Sequence, residues 1–156
     1  MLQEGAAKVY AIENGKAQLA PSLLANPKVI SMEETDIRNA SPDWFQEPIS
    51  FAAVDVSFIS LTKVLAPIQK ILARDAQLIC LIKPQFEVGK AGLSKRGIVR
   101  NQKARLSAVA DVNEFAKALG LKYHGILPFP EIPEKHKNQE FLVLYQKYEK
   151  CENHQN

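Results

Sequence analysis

Two side chains that could do chemistry each follow an apolar segment of the sequence. Asp55 ends the segment Phe51–Asp55, and Lys83 comes directly after the segment Leu78–Ile82. Both segments have the composition of buried β-strands. Ligands of open α/β sheets bind beyond the carboxyl ends of the strands, so we expect the acid and the lysine to face one pocket. The pattern is typical of an active site, although an acid at a strand end is about as often only a loop or cap residue.

The elements that would position these residues form an alternating pattern of strands and helices, which predicts an α/β fold with a mostly parallel sheet. The last two strands have no helix between them and predict an antiparallel hairpin at the edge. The predicted strands are 9–12, 29–32, 51–55, 78–82, 121–129 and 140–146, the helices are 15–24, 61–73 and 100–119, and the loops are 39–49, 87–98 and 130–139. Residues 148–156 are expected to form a polar tail.

Composition narrows the class of protein. The 156 residues fit one domain, and 46% hydrophobic with 24% charged residues is ordinary for a soluble globular protein. No apolar run approaches the roughly 20 residues of a membrane helix, and the N-terminus lacks the layout of a secretory signal. Cys80 and Cys151 lie far apart, so no disulfide is expected and a cytoplasmic location is the default. A net charge of +3 permits a polyanionic partner.

Other residues were assigned by type and spacing. The loop after Lys83 holds basic side chains that could grip phosphates, or that could only be solvated: Lys90, Lys95, Arg96 and Arg100. The three histidines, His124, His136 and His154, show no metal-ligand spacing, and no metal site is predicted. The residues expected in the core are Phe51, Val54, Phe58, Leu65, Ile71, Leu78, Cys80, Leu81, Phe115 and Leu142.

Four stretches, taken together and in order, resemble the TlyA-type (hemolysin A) family, a branch of the FtsJ-like ribosomal RNA 2′-O-methyltransferases. They are DVSFISL from Asp55, LIKPQFE from Leu81, GIVR from Gly97 and NQEFL from Asn138. The resemblance covers about residues 5 to 146. It implies a Rossmann-like fold and transfer of a methyl group from S-adenosylmethionine to a ribose 2′-hydroxyl of ribosomal RNA, with the ribosomal subunits as partners.

The resemblance also implies roles for single residues. The family uses a Lys-Asp-Lys-Glu set, whose last three members match Asp55, Lys83 and Glu140, with Asp55 also facing the methyl donor. Glu13 stands where the family has an acid that binds the cofactor ribose, and Asp36 stands in the loop that meets the adenine. Out of this context Glu140 would be a plain charge on an edge strand, and a loop-capping role for Asp36 is nearly as plausible.

The role of Lys83 in such a reaction stays open between two possibilities. A lysine with the ordinary pKa of about 10.4 is protonated and cannot take the hydroxyl proton. Desolvation lowers a lysine pKa, whereas neighbouring carboxylates favour the charged form. Lys83 is therefore expected either to deprotonate the 2′-hydroxyl or to orient it.

The match also departs from the family pattern. Full-length members begin with an S4-like RNA-binding domain, followed by a central strand and a glycine-rich loop that holds the methionine part of the cofactor, and the first lysine of the set precedes that strand. Residues 1–147 resemble only the part after these features. We therefore expect the portion of a methyltransferase domain that lacks them, with strand edges exposed beside the missing strand. Dimerisation could cover these edges, and the sequence leaves the oligomeric state open.

Three functions are compatible with these observations. The first is the rRNA methyltransferase, and the second is a catalytically inactive fragment that keeps an RNA-contacting surface. The third is a membrane-active hemolysin, which the lack of a spanning or strongly amphipathic segment disfavours.

Overall fold

The computed structural model describes residues 1–129 and 137–148. The chain divides into two compact units, one formed by Met1–Ala40 and the other beginning at Ser41. His136, Cys151 and His154 lie outside the described residues, as do much of the predicted 130–139 loop and nearly all of the predicted tail. No helix in the described ranges is long and apolar enough to cross a membrane.

The first unit contains a two-stranded parallel sheet. Strand β1 (Val9–Ile12) pairs with strand β2 (Val29–Met32) along their full lengths. The helix predicted over 15–24 is wrong except for its last four residues, which form α1 (Pro21–Leu24). Pro21 suits a first helical turn because its missing N–H needs no partner there. The preceding amides are unavailable for a helix because they donate to the carboxylate of Glu33.

The second unit is built on a four-stranded mixed sheet. Its strands are β3 (Ile49–Val54), β4 (Leu72–Ile82), β5 (Leu121–Phe129) and β6 (Glu140–Lys147). Their order is β3-β4-β6-β5, with β3 parallel to β4 and β6 antiparallel to both β4 and β5. The predicted α/β fold, with parallel strands and a closing antiparallel pair, is confirmed. Pro128 is tolerated in β5 because that strand lies at the edge of this sheet.

Strand β4 begins six residues earlier than predicted. The helix before it, α2 (Leu65–Ile71), is correspondingly shorter than the predicted 61–73 helix. The early part of β4 is irregular, because its pairing with β3 shifts register between Ile49 and Phe51. Asp75, within this irregular part, has a left-handed φ of 59°. Bulged strands of this kind are hard to recognise from an apolar pattern.

The core of the second unit lies against alternate residues of β4. Leu78, Cys80 and Ile82 are fully buried there, and burial raises the pKa of the Cys80 thiol to about 12. Of the other residues predicted in the core, Leu65 and Ile71 are also buried. Four are half-buried: Val54, Leu81, Phe115 and Leu142.

Two of the core predictions are wrong. Phe51 is 38% exposed, because it lies on β3 at the edge of the sheet. Phe58 is 90% exposed and lies in the loop after β3, where its φ of 62° turns the chain away from the strand direction.

The helix α4 (Gln102–Ala118) runs within the predicted 100–119 segment. It begins where the side chain of Asn101 accepts hydrogen bonds from the amides of Lys103 and Ala104. Gly120, with a φ of 78°, follows its C-terminal end. Val109 and Val112 are buried, but Leu106 is 52% exposed, so the buried face of this helix is narrow.

Replacing Asn101 by alanine should lower the free energy of unfolding by about 1 kcal/mol, because the helix loses its N-cap acceptor. Urea denaturation measures this loss. Asn101→Ser is the matched control, since serine also caps helices and should recover most of the stability. Equal losses in both variants would show that the cap contributes nothing.

Candidate active site

The structure brings Asp55 and Lys83 together at the end of the sheet that is formed by the carboxyl ends of β3 and β4. Val54 and Cys80 are partners in the parallel ladder, so β3 and β4 end at nearly the same level. The Nζ of Lys83 lies 2.5 Å from Oδ1 of Asp55 and donates a hydrogen bond of 3.0 Å to Oγ of Ser57. The Lys83 side chain is only 13% exposed, whereas that of Asp55 is 66% exposed. The pair therefore joins a shielded ammonium to a carboxylate that solvent reaches.

Glu140 begins β6 at the same end of the sheet. Because Ile82 pairs with Phe141 in the antiparallel ladder, the next residues along these strands are Lys83 on one and Glu140 on the other. The carboxylate of Glu140 accepts a 2.9 Å hydrogen bond from Nε2 of Gln85. All three predicted catalytic residues thus lie at one end of the sheet.

The turn after β4 connects these residues to the rest of the site. Helix α3 (Pro84–Glu87) forms most of this turn, and its polar side chains reach two different segments. Gln85 contacts the start of β6, as above. Glu87 accepts a 2.6 Å hydrogen bond from the hydroxyl of Ser60 and a 2.9 Å bond from the amide of Leu61. Together with the Lys83 pair, these bonds fix the 55–61 loop at both of its ends.

Gln85 and Glu87 were not predicted from the sequence to be site residues. The available signal was that both are polar residues within the LIKPQFE stretch, close behind Lys83. The orientation of Gln85 is set by Glu140, because a carboxylate only accepts hydrogen bonds and the amide nitrogen must face it. This leaves Oε1 of Gln85 buried without a partner among the described residues. An unpaired buried acceptor is costly and calls for an explanation in the function of the site.

The loop between Asp55 and Leu61 holds an exposed aromatic side chain. The ring of Phe58 meets that of Phe86 at a centroid distance of 5.1 Å and an interplanar angle of 49°. A left-handed backbone is unfavourable for a bulky residue, at about 1–3 kcal/mol, and persists only where its surroundings impose it. Here the bonds of Lys83 and Glu87 impose it from both sides.

The predicted basic residues fall into two groups. Ser94, Lys95, Arg96 and Arg100 line one hollow of about 350 Å³. Lys90 does not line that hollow and begins the short 3₁₀ turn Lys90–Gly92. All four basic side chains belong to exposed residues.

The two residues predicted to bind the cofactor from the first unit lie just beyond its strands. Glu13 follows β1 and accepts a 2.6 Å hydrogen bond from the amide of Gly15. Asp36 lies beyond β2 and caps a 3₁₀ turn by accepting from the amide of Arg38 at 2.9 Å. The guanidinium of Arg38 also binds both of its oxygens, which lowers the pKa of Asp36. The capping role that the sequence left open for Asp36 is therefore present.

Glu33 is a further acid in the first unit that the sequence analysis missed. Its carboxylate accepts hydrogen bonds from three successive amides, those of Ala17, Gln18 and Leu19, at 2.8, 2.8 and 3.2 Å. These bonds, led by that of Ala17, lower the pKa of Glu33. Glu33 thereby fixes the loop that follows Glu13.

Within residues 1–129 and 137–148 no group of three or more His, Cys, Asp or Glu side chains could hold a metal ion. His124 is exposed on β5.

Comparison with known proteins decides the family. The FtsJ-like methyltransferase family matches residues 1–147. The chain belongs to this family. A 16S/23S rRNA (cytidine-2′-O)-methyltransferase TlyA from Mycobacterium tuberculosis is 36% identical over 92% of this chain and 53% of its own length. A 23S rRNA (cytidine-2′-O)-methyltransferase TlyA from Campylobacter jejuni is 37% identical over 77% of this chain and 46% of its own length.

A solved structure of a relative has the same fold as this chain. A Streptococcus thermophilus protein described as a candidate hemolysin superposes with a TM-score of 0.89 at 40% identity, over 96% of this chain and 54% of that one. The chain thus spans about half the length of the relatives it matches.

Glu87→Ala should release the 55–61 loop, since Ser60 and Leu61 lose a charged acceptor worth about 1–3 kcal/mol. Hydrogen exchange should then be faster at the Leu61 amide. Glu87→Gln is the control, because its amide oxygen can still accept from Leu61. Unchanged exchange in Glu87→Ala would mean that the loop is held by other contacts.

Glu33→Gln should make stability less dependent on pH. A lowered pKa in the folded state gives stability that is present above the unfolded value of 4.5 and is lost as the pH falls through the folded pKa. The variant should therefore be less stable than the parent at pH 7, with the difference shrinking at acidic pH. Thermal unfolding across pH measures it. Glu34→Gln is the control, since the side chain of Glu34 makes an exposed 3.8 Å ion pair with Lys16, which contributes little to stability. A difference independent of pH would contradict the assignment.

Proposed function

We propose that this chain carries catalytic residues of a methyltransferase that uses S-adenosylmethionine to methylate a ribose 2′-hydroxyl of ribosomal RNA. The observation that carries the proposal is the shielded ammonium of Lys83. Asp55 and Ser57 hold it at the end of the sheet where strand β6 begins with Glu140. Membership of the FtsJ-like family and the activities in the names of the two TlyA relatives support it. A ribosomal substrate would place the protein in the cytoplasm.

Methyl transfer to a hydroxyl requires the oxygen to approach the methyl carbon in line, and positioning can supply several kcal/mol of the barrier reduction. An ammonium has three N–H donors, and Asp55 and Ser57 account for two of those of Lys83. The remaining donor is suited to orient the ribose oxygen. Steering is thus the role that the geometry favours, and the carboxylates of Asp55 and Glu140 at the same edge are suited to accept the hydroxyl hydrogen.

The cofactor supplies the electrophilic methyl group when bound. Glu13 and Asp36 fit its nucleoside part by their chemistry, because carboxylates beyond the ends of adjacent parallel strands are where nucleotide ribose hydroxyls bind in Rossmann-like folds. We assign the ribose to Glu13 and the adenine side to Asp36. The bonds that Glu33 makes to the intervening loop would keep Glu13 in place.

The RNA would be gripped by charge and by stacking. The hollow lined by Lys95, Arg96 and Arg100 suits backbone phosphates, and exposed Lys90 adds to the basic surface. The exposed ring of Phe58 lies three residues after Asp55, where an unstacked base could rest on it. An exposed aromatic beside the reactive edge is the pattern of recognition of single-stranded RNA.

A second candidate function is RNA contact without methyl transfer. It is favoured by one observation, that the basic hollow lined by Lys95, Arg96 and Arg100 includes none of the residues assigned to methyl transfer. Binding of both cofactor and RNA without transfer would support it.

Lys83→Ala tests the proposal directly. Transfer of labelled methyl groups from S-adenosylmethionine to ribosomal subunits should fall by about 100-fold or more, because loss of positioning alone costs that much. Calorimetry should show cofactor affinity within about twofold of the parent, since Lys83 orients the acceptor. Lys70→Ala, on exposed Lys70 of α2, is the control and should keep full activity. Normal turnover in Lys83→Ala would overturn the assignment.

A further inference from the structure

Two of the three basic residues that line the hollow, Lys95 and Arg96, lie in a closed turn, Ser94–Ile98. The amide of Ser94 donates to the carbonyl of Ile98 at 3.0 Å, and the amide of Gly97 donates to the carbonyl of Ser94 at 2.9 Å. The hydroxyl of Ser94 accepts from the amide of Ile98 at 3.0 Å. Gly97 closes the turn with a φ of 71°, a conformation that glycine adopts without strain. Lys95 and Arg96 therefore lie at the tip of a hydrogen-bonded turn, whereas a solvated loop would leave them loose.

Asn138 anchors this turn from another segment of the chain. Its Oδ1 accepts from the amide of Val99 at 2.9 Å, and its Nδ2 donates to the carbonyl of Gly97 at 3.0 Å. The side-chain amide thus binds the backbone as a neighbouring β-strand would. Val99 is fully buried and Ile98 is 8% exposed, so the base of the turn is packed as well as hydrogen-bonded.

Asn138 also lies close to the start of β6, where the predicted catalytic residue Glu140 is located. Asn138 precedes Glu140 by two residues, and two residues of chain span at most about 7 Å. Glu140 is in turn bonded to Gln85, two residues beyond Lys83. A short path of hydrogen bonds and peptide backbone therefore connects the turn Ser94–Ile98 with Glu140 and Lys83.

We propose that Asn138 is a positioning residue that holds the phosphate-gripping turn at a fixed distance from Glu140. A backbone phosphate bound in the hollow would then set which ribose reaches Lys83. This inference rests on the proposed function. It adds that the distance between the bound phosphate and the catalytic residues selects the ribose that is methylated. Its physical basis is that cations held in place before binding pay less ordering cost when the phosphate arrives.

The experiment measures binding of a fluorescent single-stranded rRNA fragment by anisotropy over a series of salt concentrations, with hydrogen exchange at the Val99 amide followed in parallel. Asn138→Ala should speed that exchange and weaken RNA binding by about tenfold, because the turn must be ordered on binding. The dependence of the logarithm of the RNA affinity on the logarithm of the salt concentration should also become less steep. No charge is removed, but fewer Lys and Arg side chains contact phosphates at the same time. Asn138→Asp keeps the acceptor for Val99, but it loses the donor to Gly97 and adds a negative charge beside the turn, so it should weaken RNA binding at least as much as Asn138→Ala.

Asn113→Ala is the matched control for a purely structural effect. It removes the partner of the Tyr145 hydroxyl, 2.5 Å from Oδ1 of Asn113, and leaves the bonds of the turn intact. This variant should lose stability and keep both the RNA affinity and the salt slope. An equal loss of affinity in Asn113→Ala would show that stability alone is responsible and would overturn the inference.

The remaining outcomes separate the inference from the function on which it rests. If the parent chain binds RNA and the Asn138 variants bind equally well despite faster Val99 exchange, the inference is wrong and the proposed function stands. If the parent chain fails to bind RNA, the proposed function and the inference are both contradicted.

Discussion

The ion pair between Lys83 and Asp55 is the interaction on which the rest of the second unit depends. An ammonium whose side chain is only 13% exposed would be strongly destabilising without a partner. The partner comes from the end of the neighbouring strand, so the pair is possible only because β3 and β4 are parallel and end at nearly the same level. Insertion of β6 between β4 and β5 then brings Glu140 to the same edge.

The turn Lys83–Glu87 makes this edge rigid with few residues. Lys83 reaches the start of the 55–61 loop, Glu87 reaches its end, and Gln85 reaches β6. Two unfavourable features persist within this frame, the left-handed backbone of Phe58 and the side-chain oxygen of Gln85, which has no partner in residues 1–129 and 137–148. Strain of this kind concentrates where function requires a particular geometry. The exposed ring and the oriented amide both lie beside the residues assigned to the reaction.

The sequence was informative where a local pattern has a single structural meaning. Apolar strands that end in Asp55 and Lys83 predicted a shared edge, and the absence of a helix before 140–146 predicted the antiparallel pair. It failed where distant residues decide. The amides of Ala17 to Leu19 form no helix because Glu33, far along the chain, accepts them. Phe58 has the side chain of a core residue, but the contacts of Lys83 and Glu87 hold its backbone in a conformation that points it to solvent.

The position of the transferred methyl group is the most direct test of the proposed reaction. Ribosomal RNA incubated with the protein and S-adenosylmethionine can be digested to nucleosides and fragmented by mass spectrometry, which separates methylation of the sugar from methylation of the base. We expect a methyl group on the ribose, which disappears when Lys83 is replaced by alanine. Methylation confined to a base, or ribose methylation that persists without Lys83, would contradict it.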